Sequence, residues 1–188
     1  MQPQSIVLTD EEVAARVQSG DAESFGILME RYEDRLLRYA RKFLAEKMDA
    51  EDCVQAAFIK AYENIRGYDH KRKFSSWMYR IAHNEFVDEL RTRAREPVIR
   101  MEPDILFPHL MAPERSDQGA EQREMRELLD RHLNTLEPRY REPLVLHYFE
   151  DMSYRDIADI LRIPVATVGV RLKRGRERML SIIQNTHE

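Results

Sequence analysis

One cysteine, six glycines and one tryptophan in 188 residues exclude several kinds of protein. Cys53 alone can form neither an internal disulfide nor a cysteine-based zinc site, and its place on an apolar helix face reads as a buried, inert thiol. No apolar run approaches the ~18–20 residues that a membrane span needs. The N-terminus shows no charged segment followed by an apolar core, so neither membrane insertion nor secretion is expected and a reducing cytoplasm fits. No stretch alternates with period two for long enough to suggest a sheet. No set of His, Asp and Glu residues has ligand spacing, so neither a metal nor another cofactor is expected. There is no basic excess either: 30 Lys and Arg stand against 34 Asp and Glu, a net charge of -4. A protein that coats DNA by bulk charge is thereby excluded, and any nucleic-acid contact must come from local patches.

What is present suits helices. Hydrophobic content of 43% supports real cores, and the length gives room for one large or two small domains. Thr9 with Glu12 three residues later forms a possible capping box for a short helix through Val13 and Val17. After Ser19-Gly20, Asp21 is expected to open a long helix. Its apolar face carries Phe25, Leu28, Met29, Tyr32, Leu36, Leu37, Tyr39, Ala40, Phe43 and Leu44.

Between Asp49 and Arg95 two helical patterns meet across a polar bridge. Val54, Ala57, Phe58, Ala61, Tyr62 and Ile65 recur at three and four residue steps, the mark of one buried stripe. Trp77, Met78, Ile81, Ala82, Phe86, Val87 and Leu90 repeat the device. The bridge holds Gly67 and the basic run His70, Lys71, Arg72, Lys73, and Ser75 or Ser76 is placed to cap the second helix. A cationic loop beside Trp77, Tyr79, Arg80, His83 and Asn84 combines phosphate donors, base-edge donors and stacking surfaces, the mixture that single-stranded nucleic acid requires. The plainer reading is a solvated basic loop and core aromatics. Residues 9–95 are expected to form one helical domain.

From 96 to 119 the composition changes. Pro97, Pro103, Pro108 and Pro113 forbid a continuous helix, and acids outnumber bases, so this reads as a linker with a few apolar residues. Helices resume across 120–185. Met125, Leu128, Leu129, His132, Leu133 and Leu136 make one stripe, and Pro138 suits the first turn of the next helix. Then come a short helix with Ile157, Ala158 and Leu161 facing inward, a turn at Arg162-Ile163-Pro164, and a basic helix packed through Val168 and Leu172. Two helices, a tight turn and an exposed second helix with Thr167, Arg171, Lys173, Arg174, Arg176 and Arg178 make a DNA-binding helix-turn-helix, rather than a plain hairpin with a solvated basic end.

The two halves together resemble a known family. Asp49-Ala-Glu-Asp52-Cys-Val54-Gln55, Phe74-Ser-Ser-Trp77-Met-Tyr79-Arg80-Ile81-Ala82-His-Asn84 and Asp88-Glu-Leu90-Arg91 are similar to region 2 of an extracytoplasmic-function sigma factor of the sigma-70 superfamily. Leu136-Glu-Pro138-Arg-Tyr-Arg141, Ser153-Tyr154-Arg-Asp-Ile157-Ala158 and Pro164-Val-Ala-Thr167-Val168 resemble its region 4. The resemblance implies an all-α fold: a region 2 domain, a linker and a region 4 domain. It implies a non-enzymatic transcription initiation factor that binds core RNA polymerase and directs it to -10 and -35 promoter elements.

By that resemblance Asp52, Val54, Gln55 and Phe58 dock on the polymerase, and Tyr68, Lys73, Trp77, Arg80, Ile81 and Asn84 lie at the opened -10 strand, with Asn84 reading a base. Thr167, Val170, Arg171, Lys173, Arg174 and Arg176 then face the -35 element. Ala56 stands where the family usually has an acid, and Gly169-Val170 where it has a base followed by Ser, which leaves the -35 readout open. The acidic linker is implied to mimic nucleic acid in the polymerase cleft. Implied partners are core RNA polymerase, promoter DNA and an anti-sigma factor, with a monomer when free. The alternatives are a free-standing helix-turn-helix regulator acting without a holoenzyme, and, far behind, a nuclease using Glu51, Asp52 or His83.

Overall fold

The computed structural model describes residues 8–42, 44, 47–94, 125, 129 and 131–186. Every regular element among them is helical. The chain divides into two compact units, Met1–Glu96 and Pro97–Glu188. The expected linker at 96–119, with Phe43 and Leu128, lies outside the described residues.

The first unit begins with α1 (Asp10–Gln18), whose capping box is formed: Glu12 N donates to Thr9 Oγ1 at 3.2 Å, and Thr9 N donates to Glu12 Oε2 at 2.8 Å. Asp21 does not open the long helix. Its carboxylate accepts from Ser24 N and Ser24 Oγ, which stabilises a 3-10 turn at Ala22–Ser24, and α2 (Phe25–Arg41) follows. α3 (Lys47–Asn64) packs against both α2 and α4 (Phe74–Ala94). Leu28, Tyr32, Leu36 and Tyr39 from α2 meet Val54, Ala57, Phe58 and Ala61 from α3, and Met78, Tyr79, Ala82 and Phe86 from α4. Full burial of one such large apolar side chain stabilises by about 1.5–3 kcal/mol. Cys53 is buried as expected. Met29, Tyr62 and Leu90, assigned to the core stripes, are instead exposed, because those stripes are wider than the neighbouring helices cover.

In the second unit Met125, Leu129 and Leu133 are buried ahead of α5 (Pro138–Tyr148), α6 (Tyr154–Leu161) and α7 (Val165–Thr186). Pro138 occupies the first turn of α5, where its missing N–H costs nothing, while Pro143 sits inside the helix against the core. α6 starts with a second capping box, Ser153 with Asp156. The turn to α7 passes through Arg162 in the left-handed region, φ 54°, and Ile163 N returns to Ala158 O at 3.2 Å. Ile157, Ala158 and Ile160 are buried, while Leu161, expected inside, is half-buried. α7 approaches α5 closely at Gly175, where a Cβ would stand 2.8 Å from Leu144 Cδ1.

Candidate nucleic-acid interface

The exposed side of α3 starts with Asp52 and Gln55, which share a face at i, i+3 spacing. Val54 and Phe58, assigned beside them to polymerase docking, are buried in the unit's own core and offer no surface. The reason is angular: they belong to the same stripe as Ala57 and Ala61. The face continues instead through Ile59, 60% exposed, and Tyr62, 46% exposed, whose ring meets Phe25 edge-on at 5.2 Å. Sequence reasoning missed this apolar extension, although Ile59 falls outside the buried periodicity and follows Gln55 by four residues.

The bridge between α3 and α4 is an exposed basic loop on an aromatic foundation. Tyr68 is 4% exposed, with its ring against Phe74 and Trp77 at centroid distances of 5.4 and 5.3 Å, and its hydroxyl donates to Arg72 O at 2.5 Å. Burial pushes the Tyr68 phenol up to about 12, so it stays a donor. Tyr68 and Trp77 therefore support the surface from beneath rather than presenting stacking faces, and Tyr79, fully buried beside Tyr39, presents none. Above them Arg66, His70, Lys71, Arg72 and Lys73 are exposed. Trp77, Arg80 with Ile81, and Asn84 follow at helical spacing, so they share one side of α4, and Lys73 immediately precedes its first turn. Asn84 is exposed, and Arg80 and Ile81 are half-buried. Neither Ser75 nor Ser76 caps α4. Phe74 N donates to Glu11 Oε1 at 2.9 Å, so the cap comes from α1.

His83, on the same helix, is drawn inward, with Nδ1 3.2 Å from the Tyr39 hydroxyl. Burial, aided by the Arg91 charge, lowers its pKa to about 4, so the ring is neutral. Among the described residues no group of three or more His, Cys, Asp or Glu could hold a metal ion.

In the helix-turn-helix, Ala166, Val170, Lys173 and Glu177 succeed one another on the outward side of α7, away from buried Val168, Leu172 and Met179. Thr167 and Arg176 are half-buried and Arg174 is exposed. Arg171 departs from expectation. It is 4% exposed, and its charge faces Glu142, whose carboxyl burial pushes up to about 7 against the pull of Arg171 and Arg141. A side chain so placed faces α5 and leaves little surface to offer a base. Arg178 is engaged as well, lying over the Tyr140 ring at 4.4 Å and paired with Glu137. That pairing holds the Glu137 carboxyl below its usual range. Gly169 leaves a gap with only Tyr154 Cε2 near, so nothing in the packing demands a glycine there.

An exposed basic loop beside a helix face in one unit and a helix-turn-helix in the other define a two-part DNA-recognition protein, and the comparisons place it more closely. Residues 28–96 match Sigma-70 region 2 and residues 126–179 match Sigma-70, region 4. The chain is 33% identical over 172 residues to the extracytoplasmic-function (ECF) RNA polymerase sigma factor SigW of Bacillus subtilis, a match spanning 87% of this chain and 91% of the relative. It is 31% identical to the RNA polymerase sigma-H factor of Pseudomonas aeruginosa, spanning 93% of this chain and 94% of that one. Among solved structures, CnrH in complex with the cytosolic domain of CnrY is similar with a TM-score of 0.69 and 26% identity, spanning 94% of this chain and 97% of that one. This chain belongs to the extracytoplasmic-function family of RNA polymerase sigma factors.

Proposed function

We infer that this protein is a promoter-recognition subunit: it binds core RNA polymerase, carries it to -10 and -35 elements and assists strand opening. The observation that carries the reading is the pairing of the basic loop and α4 face with a separate helix-turn-helix, each matched to its own sigma-70 region. The polymerase supplies the chemistry, and the chain has no catalytic role of its own. No described helix is long and apolar enough to cross a membrane, and the protein works beside the polymerase in the cytoplasm.

Asp52 and Gln55 meet the polymerase, with Ile59 and Tyr62 extending that contact. Lys73, Arg80, Ile81 and Asn84 take the displaced -10 strand, supported from below by Tyr68 and Trp77. Asn84 is suited to read an extruded base because its amide both donates and accepts. Thr167, Val170, Lys173, Arg174 and Arg176 meet the -35 major groove, where Val170 suits a thymine methyl and Arg174 a guanine edge. The complex of CnrH with the cytosolic domain of CnrY supports a protein partner for this chain, which in this reading is an anti-sigma factor, and the chain is a monomer when released.

The test is co-elution with core polymerase. Wild type should elute in the polymerase peak and Asp52→Arg should not. A wild type that ignores the polymerase yet binds palindromic duplex DNA as a dimer would hand the assignment to a free-standing regulator.

A further inference from the structure

The match to region 2 begins at residue 28, which leaves α1 outside it, yet α1 governs the loop that the function depends on. Gln18, at its last position, spends one amide on three points of that loop. Its Nε2 donates to Ile65 O at 2.7 Å and Tyr68 O at 3.0 Å, and its Oε1 stands 2.5 Å from His70 Nε2. Since Oε1 only accepts, Nε2 of His70 carries the proton. At the far end of the segment, Glu11 accepts from Phe74 N. Both ends of 65–74 are therefore tied to one nine-residue helix.

That helix is itself fixed. Asp10 takes Arg31 Nη1 at 2.6 Å and the Tyr32 hydroxyl at 2.5 Å, Arg31 Nη2 reaches Leu8 O, and Val13, Ala14 and Val17 are buried. Lys71, Arg72 and Lys73 are exposed between the two ties. Loops with exposed backbone and little buried area ordinarily fluctuate, and ordering one on binding weakens the binding.

We propose that Gln18 is a positioning residue for promoter opening, with Glu11 as the second anchor: together they hold the basic loop in the shape that receives the displaced strand before DNA arrives. The proposal rests on the sigma-factor reading given above. Gln18 touches no DNA and acts only through the loop.

The experiment compares Gln18→Leu and Glu11→Ala with wild type in the full chain. Trp77 is the only tryptophan, and Tyr68 packs against it, so acrylamide quenching of its emission reports the loop directly. Quenching should rise in both variants. In holoenzyme, core affinity should be unchanged. Opening of a duplex promoter, followed by permanganate reactivity of -10 thymines, should fall about tenfold, the factor expected from losing one or two net hydrogen bonds. Activity should recover on DNA whose -10 segment is already mismatched. Variants that open duplex DNA as well as wild type overturn the proposal. So does a loss equal on duplex and pre-opened DNA, or one matched by lost core affinity, since either marks a general structural defect. A wild type that opens no promoter sinks the sigma-factor reading itself, and the proposal with it.

Discussion

Gly169 and Gly175 stand six residues apart in α7, and alanine at each should move stability in opposite directions. At Gly175 the new Cβ lands 2.8 Å from Leu144 Cδ1, 3.3 Å from Leu144 Cγ and 3.4 Å from Tyr140 Cβ. Leu144 is fully buried and Tyr140 nearly so, which leaves little room to yield. Overpacking of this kind costs about 1–3 kcal/mol, and the helix propensity gained from alanine returns about 0.8–1 kcal/mol. The net is a loss of roughly 1 kcal/mol, up to about 2. At Gly169 the Cβ meets only Tyr154 Cε2, at an ordinary 3.7 Å, so the propensity term stands alone and stabilises by up to about 1 kcal/mol. In a domain of this size each kcal/mol moves the midpoint by about 4–8 °C. Far-UV circular dichroism melts of the full chain read the effect. Trp77 lies in the other unit, so its fluorescence melt serves as a control that should not move. A Gly175→Ala protein as stable as wild type, or a destabilised Gly169→Ala protein, refutes the packing argument.

Lys173 and Arg171 should separate DNA contact from structure. In holoenzyme, Lys173→Ala lowers promoter affinity and reduces the log–log salt slope by about 1, the mark of one lost phosphate contact. Arg171→Ala removes the buried cation that faces the Glu142 carboxyl, so it lowers the melting midpoint of the second unit and leaves the salt slope alone. The pH dependence of the first unit should follow His83. Its folded pKa, about 4, lies below the ordinary imidazole value of 6.5, so the unfolded chain binds the proton more readily. The stabilisation is full above pH 6.5 and is lost as pH falls towards 4, with a limit of about 3 kcal/mol. Tryptophan-monitored unfolding of wild type and His83→Gln at pH 7.5 and pH 5 checks this: the variant should lose most of the difference.

The helices were legible because their apolar residues keep a 3.6 period, and the capping box at Thr9 and the turn before α7 carry strong local signals. Periodicity says which residues share a stripe but not how much of it a neighbour covers. Hence Tyr62 and Leu90 were read as core although they are exposed. Resemblance has the mirror fault. It assigns roles by position, and so sent Val54, Phe58 and Arg171 to surfaces from which packing withdraws them. Charge alone gave no warning for Arg171, because an arginine on a basic helix reads as exposed unless the Glu142 carboxyl is known to lie opposite. The anchors Glu11 and Gln18 left no local trace, since they act on residues 47 to 63 positions away. Ser153 with Asp156 is a further local signal of the same kind, a capping pair three residues apart.

The central claim is that this chain gives core polymerase its promoters. Transcription in vitro from sheared genomic DNA, with core enzyme plus wild type or Asp52→Arg, tests it most directly. The account predicts discrete starts with wild type, a shared upstream block near -10, and none with the variant. No discrete starts from a wild-type protein that still binds duplex DNA would contradict it.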